Sequence, residues 1–91
     1  MKYLQGLVKE LKESLAAKSA PHIVEAKSTE VLLASTSLMD QYAEDKDVMT
    51  QLDMIRRTAN RLRRSASESL DYATASKDVG LMESYLQSIL K

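Results

Sequence analysis

Cysteine, phenylalanine and tryptophan are absent from this chain, and histidine and proline each occur once. Without cysteine there is no disulfide, no thiolate metal ligand and no thiol nucleophile. A serine–histidine–acid triad would need His22 as its base, but His22 follows Pro21 where a helix starts, and no serine is marked as its partner. A di-iron bundle needs Glu-x-x-His pairs, and the sequence has none. The acidic run at Asp45 does not make a calcium loop, because the glycine position falls on Thr50 and the closing glutamate position on Arg56. Gly6 and Gly80 stand alone, so no glycine-rich loop is present to cradle a phosphate. No metal, cofactor or catalytic residue is expected, and the chain reads as non-enzymatic.

Long apolar runs are missing too. No stretch approaches the roughly 18 apolar residues of a membrane span. The first residues are interrupted by Lys9, Glu10, Lys12 and Glu13, unlike the apolar centre of a signal peptide. A reducing, cytoplasmic setting is the expectation. At 91 residues one domain is the natural reading, with an aliphatic core whose only aromatics are Tyr3, Tyr42, Tyr72 and Tyr85. A domain this small is marginal alone, which favours a partner or a second copy.

What remains is helical periodicity. With two glycines and one proline as punctuation, long helices are the economical solution. The spacing predicts an all-α antiparallel bundle of three to four helices over about 2–18, 21–42, 48–76 and 81–90. In the first, Leu4, Leu7, Val8, Leu11 and Leu15 share one stripe, and Pro21 ends it and opens the second. In the second, Val24, Val31 and Leu38 recur at seven with Ala34 and Tyr42, while Leu33 projects to the polar side. Asp47 is the expected N-cap of the third and longest helix. There Val48, Leu52, Ile55, Ala59, Leu62, Ala66, Ser69 and Ala73 alternate by four and three, a coiled-coil-like seam with one row of small residues. The pattern breaks around 76–80, and a short last helix carries Leu81, Met82, Tyr85, Leu86, Ile89 and Leu90 on one broad face.

Charge balances overall, at 13 basic and 13 acidic side chains, but not locally. All five arginines, Arg56, Arg57, Arg61, Arg63 and Arg64, fall in the acid-free segment RRTANRLRR. At about 100° per residue they spread over roughly 160° of the third helix, away from its seam. Arg57–Asp53 and Arg64–Glu68 are the expected local pairs, leaving Arg56, Arg61 and Arg63 without a nearby acid.

The leading expectation is a non-catalytic protein-binding module, an adaptor, chaperone or inhibitor. It would dock on a larger protein with an acidic patch or apolar groove through these arginines, through Tyr85, Leu86, Ile89 and Leu90, or through both. A nucleic-acid-binding dimer ranks below it: the balanced charge weakens long-range attraction, and no aromatic lies among the arginines for base stacking. A self-assembling helical protein, held by the heptad seam, is the third reading.

Overall fold

The computed structural model describes residues 1–90. Four helices follow one another, α1 (Lys2–Ala16), α2 (Pro21–Gln41), α3 (Lys46–Glu68) and α4 (Tyr72–Ile89), with no strand among the described residues. Each packs beside its neighbours in the chain, and α4 returns against α1, so the helices form a ring with no close backbone approach across either diagonal. Short turns make each successive pair antiparallel. Lys27 of α2 reaches back to Glu10 of α1 at 3.2 Å, Lys12 of α1 reaches Glu83 of α4 at 3.3 Å, and the Tyr72 hydroxyl donates to the Ser19 carbonyl at 2.6 Å. That last bond ties the start of α4 to the α1–α2 turn. No helix among the described residues is long and apolar enough to cross a membrane.

The α1 stripe is buried as its spacing requires, from Leu4 to Leu15. The helix ends in a Schellman arrangement. The Ser19 N–H donates to the Ser14 carbonyl and the Lys18 N–H to the Leu15 carbonyl, with Lys18 in the left-handed region at φ 52°. Glycine usually occupies that position, and here a lysine accepts the strain.

The most intimate contact is between α2 and α3. The α2 side of it is Val24, Ser28, Val31 and Ser35; the α3 side includes Leu52, Ile55, Ala59, Leu62 and Ala66. Large and small residues alternate on α2 and, from Ile55 to Ala66, on α3. Side chains this small let two axes approach the short end of the usual ~8–10 Å range. Ser28 and Ser35 were not legible as core from hydrophobicity. They are tolerated because each hydroxyl donates to its own helix, Ser28 to the Val24 carbonyl at 2.8 Å and Ser35 to the Leu32 carbonyl at 2.9 Å. Buried Thr58 does likewise, to the Met54 carbonyl at 2.8 Å. No hydroxyl in the seam is left unsatisfied, and none needs a partner across it.

Three expected boundaries are corrected. The continuous helix over 48–76 is broken: α3 stops at Glu68, Ser69 takes extended angles, and α4 starts at Tyr72. The seam positions Ser69 and Ala73 are therefore exposed rather than packed. Serines at 65, 67 and 69 are weak helix formers. Asp71 then offers a strong cap, accepting from the Ala73 N–H at 3.0 Å and from the Thr74 hydroxyl at 3.0 Å. These bonds, the Thr74 hydroxyl first, hold the Asp71 carboxyl below the usual carboxylate range. Length matters as well: α2 has 21 residues and α3 has 23, so a longer α3 would run past its partner. The short final helix becomes one of 18 residues that passes through Gly80 without a break. The α3 N-cap is also shifted from Asp47 to Asp45, whose side chain accepts from the Val48 N–H at 3.2 Å.

Three outcomes follow for equilibrium urea unfolding. Ser28→Ala stays within about 0.5 kcal/mol of the parent or gains stability, since the lost hydroxyl served only its own backbone and alanine favours the helix. Ser28→Leu loses about 1–3 kcal/mol by overpacking the seam. Gly80→Ala gains about 0.5–1 kcal/mol, because a Cβ there meets nothing within 4 Å; a loss would mean that α4 does not run through this position.

Candidate binding surface

Helical spacing and the neighbours of α3 divide the arginines into three groups. Arg57 and Arg64, seven residues apart, point directly away from the seam and are exposed. Arg61 leans toward α4, where one terminal nitrogen donates to Asp78 Oδ1 at 2.6 Å. Arg56 and Arg63, also seven apart, sit half-buried on the opposite shoulder, beside α2. Arg56 bonds Asp53 at 2.6 Å and Arg63 bonds the Asn60 side-chain oxygen at 2.8 Å. The single basic face expected from the sequence is thus an outward stripe with two shoulders.

The expected pair Arg57–Asp53 forms at 2.9 Å. The expected pair Arg64–Glu68 does not, and Arg64 has no ion-pair partner among the described residues. The partner of Arg61 could not be found by local spacing, because Asp78 is 17 residues away on another helix. Its side chain is only 8% exposed. A carboxylate on the inner side of α4 had no reason to look structural until α3 was placed beside it. The hydrogen bond to Asp78 and then that carboxylate's charge raise the Arg61 pKa above its ordinary value; partial burial opposes them and the nearby Tyr85 adds a little.

Arg57, Asn60, Arg61, Arg64, Ser65 and Glu68 line a shallow cleft of about 470 Å³ along the outer side of α3. Arg57 is 69% exposed and Arg61 59% exposed despite their ion pairs. The Arg57–Asp53 pair, within one helix at the surface, contributes little on its own, at ~0–1 kcal/mol, so an anion meeting Arg57 has little to displace.

The C-terminal residues occupy a different kind of place. Leu86 lies in the core together with Met82, and Tyr85 and Ile89 are half-buried against that core. Leu90 is 44% exposed. The broad apolar face of the last helix is largely used in closing the bundle, so it does not stand free as an anchor. Among the described residues no cluster of three histidine or acidic side chains is arranged to hold a metal ion.

Arg61→Ala should cost about 1–3 kcal/mol, the range for stranding a buried acceptor, whereas Arg57→Ala and Arg64→Ala should stay within about 0.5 kcal/mol. Thermal and urea unfolding of the three variants decide it. Equal losses would mean that Asp78 finds water or another donor once Arg61 is gone.

No protein-family model matches the chain, and neither a curated protein nor a solved structure matches it.

Proposed function

We propose that the chain is a non-catalytic protein-binding module, an adaptor, chaperone or inhibitor that docks on an acidic surface of a larger protein through the outer face of α3. The observation that carries this reading is the run Arg57, Arg61 and Arg64, three exposed guanidinium groups around one cleft on a single helix. Arginine suits this role because its planar fork grips a carboxylate through two donors at once. The shoulder arginines Arg56 and Arg63 broaden the basic field. Of the C-terminal face, Leu81 remains exposed enough to contribute apolar area, Leu90 is exposed on the α1 side of α4, and Leu86 serves the core.

A polyanionic partner such as nucleic acid is less favoured. The formal charge of the chain is zero, and the acidic Asp53, Asp78 and Glu68 lie among the arginines. The seam that suggested self-assembly is filled from within by α2.

The double variant Arg57→Ala/Arg64→Ala tests the reading, since neither side chain bonds another helix. Immobilised parent protein should retain a protein from a lysate of its native cells, and the variant should lose it at unchanged helicity. Retention should also fall when salt is raised from ~0.05 to ~0.5 M, where screening shortens from over 10 Å to a few ångströms. Equal retention by parent and variant, or retention abolished by nuclease treatment, overturns the proposal.

A further inference from the structure

The acids beside the arginines invite a sharper statement about the partner. Met54, Arg57, Arg61, Arg64 and Glu68 succeed one another by three or four residues, and all five are exposed. They make one straight outward stripe, with about 10 Å of axial rise between Arg57 and Arg64 at ~1.5 Å per residue. Asp53 lies one step to the side of this stripe, and Asp78 approaches it from α4.

These two carboxylates do not use up the arginines. Arg57 Nε lies 2.9 Å from Asp53 Oδ2 in an ion pair, and none of the Arg57 side-chain nitrogens donates a hydrogen bond among the described residues, so its terminal nitrogens stay available. Arg61 gives one terminal nitrogen to Asp78 Oδ1. A guanidinium has five N–H donors, so most of each fork still faces outward. Asp53 is itself fixed by a hydrogen bond from Arg56 at 2.6 Å, and Asp78 is held by burial. Both acids therefore act as splints. They hold two long side chains in one arrangement and reduce the rotamer entropy lost when a ligand is gripped.

Resting on the protein-binding reading above, we propose that the partner segment is an α-helix lying along this stripe. Its carboxylates at successive turns meet Arg57, Arg61 and Arg64, and Asp53 and Asp78 act as positioning residues. Glu68 gives the stripe a direction. It repels an acid at that end and accepts a base, while Met54 offers an apolar contact at the other. The complementary stripe reads apolar, acid, acid, acid, base at spacings of three and four. A polyphosphate backbone has no such change of sign along its length, and Glu68 opposes it.

The test uses two fluorescein-labelled alanine-rich helical peptides of identical composition. One carries Leu, three Glu and Lys on a single face at these spacings; the other distributes the same residues around the helix. In fluorescence anisotropy with the full chain at ~50 mM salt, the striped peptide should bind about tenfold more tightly than its isomer, a difference of ~1.4 kcal/mol. Asp53→Asn adds positive charge to the face, so simple attraction predicts tighter binding. The splint predicts a weakening of about fivefold for the striped peptide, little change for the isomer, and recovery in Asp53→Glu. Circular dichroism of each variant checks that the fold is kept.

Equal affinity for the two peptides, or tighter binding by Asp53→Asn, overturns the inference. So does a labelled duplex or single-stranded oligonucleotide that binds more tightly than the striped peptide and depends on Arg57 and Arg64. If the peptides are indistinguishable while lysate capture still depends on Arg57 and Arg64, the helical partner falls and the protein-binding module stands. If that capture also fails, both fall.

Discussion

The close packing of α2 against α3 is the constraint on which the rest of the molecule depends. With no phenylalanine or tryptophan to fill space, the bundle gains stability by excluding it, setting Ser28 and Ser35 on one helix and Ala59 and Ala66 on the other between larger aliphatic residues. This works only because each buried hydroxyl is satisfied by the preceding turn of its own helix. The hairpin then presents a surface on which α1 and α4 close, α1 with a regular leucine-rich stripe and α4 with Ala75, Val79, Met82 and Leu86.

The same packing decides which arginines are free. Facing its seam residues inward, α3 turns Arg57 and Arg64 straight out, sets Arg56 and Arg63 beside α2 and brings Arg61 against α4. The Arg61–Asp78 pair links the core to the surface, because its acid is buried and its base is mostly exposed. It ties α4 to α3 and at the same time orients a guanidinium at the edge of the cleft. Structure and binding chemistry thus share one interaction.

Much of the architecture was legible because it follows from local rules. The period of Leu4, Leu7, Val8, Leu11 and Leu15, the stop at Pro21 and the 4-3 alternation from Leu52 to Ala66 each fix a helix and its buried side. The misreadings have local causes as well. The 4-3 spacing continues through Ser69 and Ala73, but the capping power of Asp71 and the weak helix propensity of the serines before it end the helix first. Gly80 does not break α4, because a single glycine lowers helix stability by only about 1 kcal/mol, which the packing of α4 readily overcomes. Ser28, Ser35 and Thr58 escaped notice because a hydrophobicity pattern cannot see a hydroxyl bonded to its own backbone.

The amino-acid order alone determined that the chain is helical, which side of α1 and α3 turns inward, and that all five arginines fall on one segment. Only the tertiary arrangement decided that Asp78 meets Arg61 across helices, that Leu86 belongs to the core, and that three arginines share one outer cleft. The division follows from range. Periodicity and capping act within one or two turns and can be read along the chain, whereas the meeting of side chains 17 residues apart depends on how two finished helices pack.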